Sequence, residues 1–378
     1  MVSFMGQNRQ SQKPHFAIIA PALALAGNTE KKNNQTADWI KIRVNKLFVQ
    51  DKMRKPSTIA VIGAGLSGLA CATELQAAGW QVSVFDKSRG PAGRMSTRRG
   101  EDWQCDHGAQ YFTARDPRFQ AELARWQQAG VAALWQPRVA VIGDEASHQT
   151  DHLLQRFVGM PRMNAPARFL ADVLPLTVQF TVSAIEKTAA GWQIFSQEQG
   201  RLAQHFDALV LALPAPQAAP LLQAVAPDLS ALASQVGMRA CWTLMLNYTE
   251  TLDLPFDAAF VNQGPLRWVA REQSKPGRPA RETWLLHASA AWSEVHVEAE
   301  PAWVAAALLA AFADLGAAQP HAWTAHRWRY ADTEPPLNLG CCWDAERQIG
   351  LCGDWLNGGK IEWAWLSGHQ LAERICKP

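Results

Sequence analysis

The sequence predicts an α/β chain: a Rossmann-like parallel-sheet domain with a mainly antiparallel α+β domain interleaved into it. Three observations carry this. A strand, a glycine turn, a helix and a second strand open at residue 57. A further strand ending in Gly353-Asp354 precedes the final helix. Between them lie alternating segments of antiparallel character. Pieces of one nucleotide site at both ends of a chain require a discontinuous domain.

Ser57–Ile62 is β-branched and apolar and runs into Gly63-Ala64-Gly65-Leu66-Ser67-Gly68. The spacing predicts a strand to Gly63, then a helix over 66–78 closed by Gly79. Gln81–Asp86 reads as the second strand. In such a unit Gly63 makes the tight turn and Gly65 lets the backbone approach a pyrophosphate. Gly68 lets helix and strand pack closely. The helix N-terminus offers free N–H groups and its positive dipole end to phosphate. Asp86 stands where a carboxylate accepts from ribose hydroxyls, and it repels a 2′-phosphate. The plain alternative is a glycine-rich structural turn.

Next comes Lys87-Ser88-Arg89-Gly90-Pro91-Ala92-Gly93-Arg94-Met95-Ser96-Thr97, a Gly/Pro turn carrying an arginine. This resembles the glycine–arginine motif of the flavin amine oxidase superfamily, where backbone and arginine address the FAD pyrophosphate. Ala92 stands where many members have another glycine. Asp106-His107-Gly108-Ala109-Gln110-Tyr111-Phe112-Thr113 follows, and Ile349–Glu362 holds the Gly-Asp closure. With Val158–Asn164 and Arg271–Arg278, these motifs are similar to the renalases, in their bacterial branch, over residues 56 to about 376. The resemblance implies a glutathione-reductase-type FAD-binding domain. Its implied FAD contacts are Gly63, Gly65, Ser67, Gly68, Asp86, Lys87, Gly93, Arg94, Met95, Gln110, Tyr111, Gly353, Asp354 and Ile361.

The remaining elements follow from local pattern. Thr177–Glu186, Gly191–Gln197 and Asp207–Leu213 read as a three-stranded excursion that returns to the first sheet. Pro214–Ala233 is Ala/Leu/Pro-rich and reads as helical. Cys241–Tyr248, Ala258–Val261 and Trp284–Ser289 read as strands of another sheet. Pro301–Leu315 is a helix with Pro at its start and Gly316 after its end. His321–Tyr330 alternates as a strand, His326, Trp328 and Tyr330 on one face. The expected division is an FAD-binding domain of 56–115, 155–214 and 320–378, with 116–154 and 215–319 as the substrate domain.

Net charge is +2, but residues 1–55 carry +7 and the rest −5. A mildly acidic body argues against a nucleic-acid binder. Residues 1–55 read as an N-terminal extension, disordered or upstream of a native start at Met53. Phe16–Ala26 imitates a secretory signal, so secretion stays open beside a cytoplasmic location. No run reaches the ~18 apolar residues of a membrane span. The seven cysteines show no zinc spacing and read as reduced thiols.

The resemblance also implies a chemistry: oxidation of NAD(P)H isomers with hydride at the wrong ring position. Hydride passes to flavin N5, and dioxygen reoxidises the flavin to give hydrogen peroxide. Loss of hydride restores an aromatic pyridinium, so no general base is needed, and none is recognisable. An amine oxidase or desaturase of the same superfamily is the alternative enzyme. A non-catalytic FAD-bearing redox sensor is the alternative of another class.

Residues 267–281 hold Arg267, Arg271, Lys275, Arg278 and Arg281 against Glu272 alone. Such a loop can meet a dinucleotide's pyrophosphate, or it is simply solvated. Trp faces nearby can stack on nicotinamide or flavin, although a Trp in a strand is more often core. The expected pocket residues are Trp268, Lys275, Arg278, His287 and Trp292. No residue is assigned as catalytic and no metal site is expected.

Overall fold

The computed structural model describes residues 57–143 and 154–377. The expectations for residues 1–55 and for the segment 16–26 lie outside them.

Thr58–Ile62 and Gln81–Phe85 run parallel and are joined by the helix Leu66–Ala77. Ile59–Ile62 is wholly buried, which is why it reads as an unbroken apolar run. Ala208–Leu211 pairs parallel on its other side, and Ile349–Leu351 pairs with that. The sheet order is Cys342–Asp344, Ile349–Leu351, Ala208–Leu211, Thr58–Ile62, Gln81–Phe85, Leu176–Thr177. The two ends of the described chain therefore meet in one sheet. Helix Ile361–Cys376 packs on Leu66–Ala77. Val182–Thr188, Gly191–Ser196 and Gly200–Phe206 form an antiparallel excursion whose third strand is Gly200–Phe206, not the expected Asp207–Leu213, because Ala208–Leu211 pairs into the parallel sheet instead.

The second six-stranded sheet runs Ala322–Thr333, Met238–Asn247, Thr283–Ala288, Leu266–Arg271, Ala258–Val261, Val139–Ile142. All its pairs are antiparallel except the last. Three further points differ from the sequence reading. Leu266–Arg271 is a strand, not part of a cationic loop, because Leu266 is buried before Arg267, and Trp268, Val269 and Ala270 are buried between Arg267 and Arg271. Ala322–Thr333 pairs along its length with Met238–Asn247, so this sheet continues past the expected boundary at 319. Helix Pro117–Gln128, expected with segment 116–154, sets Phe119 against Trp365 of the C-terminal helix at 5.7 Å. Motif positions had suggested those boundaries; strand and helix pairing draws different ones.

One core cluster runs from Leu69 and Val84 under the parallel sheet to Met245, Trp268 and Leu285 in the antiparallel sheet. The sheets thus share a core. Helix Pro301–Ala313 covers the far face of the antiparallel sheet through Val304, Leu308 and Phe312. Each such side chain contributes about 1.5–3 kcal/mol on burial. All seven cysteines are free thiols, Cys341 buried and its neighbour Cys342 half-buried. No helix among the described residues is long and apolar enough to cross a membrane.

Candidate functional site

The C-terminal ends of Thr58–Ile62, Gln81–Phe85 and Ala208–Leu211 open into a cleft of about 1900 Å³, walled opposite by the antiparallel sheet. An ordinary small-ligand site holds roughly 300–1,000 Å³, so this cleft has room for a dinucleotide and a second ligand. Of the fourteen expected cofactor residues, all line it except Gly68. Gly68 sits behind the turn, where packing is its task.

The glycine turn is built to admit a phosphate. Gly65 has φ −72° and ψ 171°, and a Cβ placed there would meet nothing within 4 Å. The space in front of it belongs to a ligand. Ser67, in the first turn of the helix, is buried, and its hydroxyl has no partner among the described residues. A buried polar atom without a partner costs about 1–3 kcal/mol, and a pyrophosphate oxygen at the helix N-terminus removes that cost. Asp86 accepts from the Ala64 N–H and the Ser88 N–H, each at 2.7 Å. It fastens the turn to the second strand and keeps a lone pair on each oxygen for a ribose.

Arg94 and Asp354 are partners across 260 residues. The guanidinium donates to both carboxylate oxygens at 2.8 and 2.5 Å, and to the Ala331 carbonyl at 3.1 Å. Burial alone would lower the Arg94 pKa; the Asp354 carboxylate outweighs it and raises it. The pair locks the glycine–arginine turn to the Gly-Asp closure, so both walls of the cleft are set together. Lys87, Gly93, Met95, Gln110, Tyr111, Gly353 and Ile361 complete this side.

The opposite wall holds Trp268 and His287, two of the five expected pocket residues. It also holds residues the sequence reading did not single out: His107, His326, Trp328, Cys241 and Arg98. His107 stacks on Trp328 with ring centroids 5.1 Å apart and meets His326 edge-on at 4.9 Å. The Trp328 indole N–H donates to the His107 carbonyl at 2.9 Å, and a His287 ring nitrogen lies 3.2 Å from the same oxygen. Burial pushes the His107 imidazole down to about 3, and His287 and His326 to about 4. Neighbouring cationic and histidine charge adds to this at His107, and Arg98 adds to it at His326. All three rings are therefore neutral near pH 7. The signal for His326 and Trp328 was their shared strand face; for His107 it was its place in the Asp106–Thr113 motif.

Three expected pocket residues are elsewhere. Lys275 is fully buried: Nζ donates to Glu272 at 2.5 Å, Gln110 at 3.2 Å and Asp106 at 3.3 Å. Arg278 is equally buried and donates to Asp106 at 2.5 Å and to the Gly159 carbonyl at 2.8 Å. Both lie behind the cleft in a network that ties the 97–112 segment to the 272–278 turn. Trp292 stacks on Trp303 at 5.9 Å, away from the cleft. Arg271 and Arg281 pair with Glu282 and Asp102, so Arg267 alone of the five loop cations lines the cleft.

A family model described as an NAD(P)-binding Rossmann-like domain matches residues 61–126. An L-amino-acid oxidase of Sistrurus catenatus edwardsii is 43% identical over 53 residues, 14% of this chain and 10% of that protein. A 4,4'-diapophytoene desaturase of Staphylococcus haemolyticus is 46% identical over 50 residues, 13% of this chain and 10% of that protein. The match thus spans about a tenth of the length of these curated relatives. Among solved structures, cyclohexylamine oxidase from Brevibacterium oxydans IH-35A superposes with TM-score 0.67 at 14% identity, over 85% of this chain and 99% of that one. Wild-type putrescine oxidase bound to putrescine superposes with TM-score 0.63 at 12% identity, over 85% and 99%. The chain carries the FAD/NAD(P)-binding fold of the flavin amine oxidase superfamily, and FAD is the cofactor its cleft is built to hold.

Proposed function

We propose that the protein is an FAD-dependent oxidase of isomeric dihydro-NAD(P), taking hydride from forms reduced at a ring carbon other than C4 and releasing NAD(P)+. When bound, FAD supplies hydride acceptance and passes the electrons to dioxygen, giving hydrogen peroxide.

The observation that carries this reading is the wall of neutral, weakly basic rings in a cationic cleft. Eleven Lys/Arg and four Asp/Glu line the cleft, so it favours an anion over an ammonium ion. The pyrophosphate of FAD accounts for only part of that excess. Trp328, Trp268 and Tyr111 offer faces on which a nicotinamide ring can lie. His107, His287 and His326, with pKa values of about 3 to 4, are poor proton acceptors. Hydride loss from a dihydropyridine leaves a stable aromatic cation and no proton to remove, so it needs no base.

The second reading, an amine oxidase or desaturase, is favoured by the likeness to cyclohexylamine and putrescine oxidases. Anaerobic stopped-flow separates the two. Isomeric dihydro-NAD or dihydro-NADP should bleach the flavin rapidly, and air should then release peroxide. Bleaching by primary amines alone would replace this reading with the second. A yellow protein bleached by neither would be a flavin-bearing sensor.

A further inference from the structure

Four of the eleven cations that line the cleft are already neutralised. Arg94 pairs with Asp354, Arg267 with Asp332, and Arg327 and Arg329 with Glu298. Among the cations in or beside the cleft that are not paired, Arg98, Arg99, Arg162 and Arg168 lie on neighbouring segments. None of their side chains has a hydrogen bond or an ion pair among the described residues.

Their placement follows from the backbone. Arg98 and Arg99 lie on Thr97–Arg99, hairpinned with Gln104–Asp106. Alternation sends the two side chains to opposite faces. Arg98 stands near enough to His107 and His326 to lower both. Arg99 is in register with Gln104, whose amide donates to the Pro161 carbonyl at 2.8 Å. That bond brings Arg99 beside Arg162. The Arg162 carbonyl in turn accepts from Ala165 N–H at the start of helix Ala165–Ala171, which carries Arg168. Arg99 and Arg168 line the cleft. Burial and then the charges of Arg99 and Arg168 lower the pKa of the half-buried Arg162. The neighbouring carboxylate, Asp106, is already bonded to Lys275 and Arg278. Three guanidinium groups gathered without a counter-ion repel one another until an anion joins them.

We propose that Arg99, Arg162 and Arg168 form a phosphate-binding subsite that takes the pyrophosphate–adenosine half of the dinucleotide substrate. The ring half lies on the other face of the hairpin, with Arg98 and the histidine–tryptophan wall. This rests on the reading of the protein as a dihydro-NAD(P) oxidase. Guanidinium forks match phosphate oxygens in pairs, which lysines do not. The subsite uses other residues than the Gly65 turn and Arg94, which address the pyrophosphate of FAD, and Arg99 and Arg168 share one cleft with them.

The test uses FAD-loaded full-length chain and ADP as the probe. Calorimetry should show one ADP bound per chain. R162Q/R168Q should weaken it about a hundredfold, roughly tenfold per charge-assisted contact. R347Q, a distant exposed arginine paired with Asp228 and Asp344, should leave it within twofold. In stopped-flow, the double variant should raise the apparent Kd for an isomeric dihydro-NAD about a hundredfold and keep the limiting bleaching rate. The corresponding dihydronicotinamide mononucleotide should show no difference. No ADP binding by the wild type, or equal binding by the double variant, overturns the subsite. Equal Kd values for dihydro-NAD overturn it too, while leaving the oxidase reading standing. Arginine-dependent ADP binding with no bleaching by any dihydronicotinamide keeps the subsite and removes the oxidase reading.

Discussion

Lys275→Met probes the buried network behind the cleft. Asp106, Glu272, Lys275 and Arg278 are four ionisable groups with side chains at most 2% exposed, two of each sign. Glu272 also accepts from the Asp106 N–H at 3.0 Å, so the charges balance only as a set. Lys275 Nζ lies 2.5 Å from Glu272. At an effective dielectric near 20 the gross attraction is about 7 kcal/mol. Desolvation offsets much of that, and removing one member of a buried pair costs about 3–5 kcal/mol net. K275M leaves an excess negative charge. Burial, then the Asp106 charge, raises the Glu272 pKa, against the pull of Lys275 and Arg278. Loss of Lys275 raises it further. A carboxyl whose folded pKa exceeds its unfolded value, about 4.3, imposes its penalty above the folded pKa and sheds it as pH falls. The K275M deficit should therefore be about 3–5 kcal/mol at pH 7.5 and smaller at pH 5.5, by urea unfolding followed through Trp fluorescence. E272Q/K275M restores charge balance and leaves the Asp106–Arg278 pair, so it should recover at least about 2 kcal/mol at pH 7.5. A K275M loss below about 1 kcal/mol, or no recovery in the double variant, refutes the reasoning.

Gly65→Val should fold normally and purify without flavin, since a side chain there meets only ligand space. Retained stoichiometric FAD would contradict the placement. Gly68→Ala should instead fail to accumulate as soluble protein, because its Cβ would overlap the Gly63 carbonyl oxygen; solubility of the expressed variant is the readout. Asp354→Asn removes the charge that holds Arg94, and should weaken FAD about ten- to a hundredfold by equilibrium dialysis. The three cleft histidines have folded pKa values of about 3 to 4, below the unfolded 6.5, so they bind fewer protons folded than unfolded. Stability should fall as pH drops from about 6.5 towards 4, and H326F should flatten that slope in pH-resolved thermal unfolding.

The cofactor half of the site was legible because its signals are local. Gly63, Gly65 and Gly68 act through backbone geometry within six residues, and a strand, a turn and a helix can be read in one window. The return of Ala208–Leu211 and Ile349–Leu351 to the same sheet was legible for a related reason. Each is a short apolar run ended by a turn, and a nucleotide site needs the acid of Gly353-Asp354 close to the arginine of the first motif.

The substrate half was misread because a cation's availability depends on its partner, and partners are distant in the chain. Lys275 and Arg278 look free in a window holding only Glu272, yet Asp106, 169 and 172 residues away, takes both. Arg98 and Arg99 look like part of a polar hairpin, yet no carboxylate among the described residues pairs with them. Periodicity had put His326 and Trp328 on one face of a strand; what it could not supply was that the strand crosses the mouth of the cleft, which depends on its pairing with Met238–Asn247. Charge counted along the chain therefore pointed to residues 267–281, and charge counted after pairing points to the hairpin 97–106 and the helix 165–171. That difference separates a loop that holds the wall together from one free to bind phosphate.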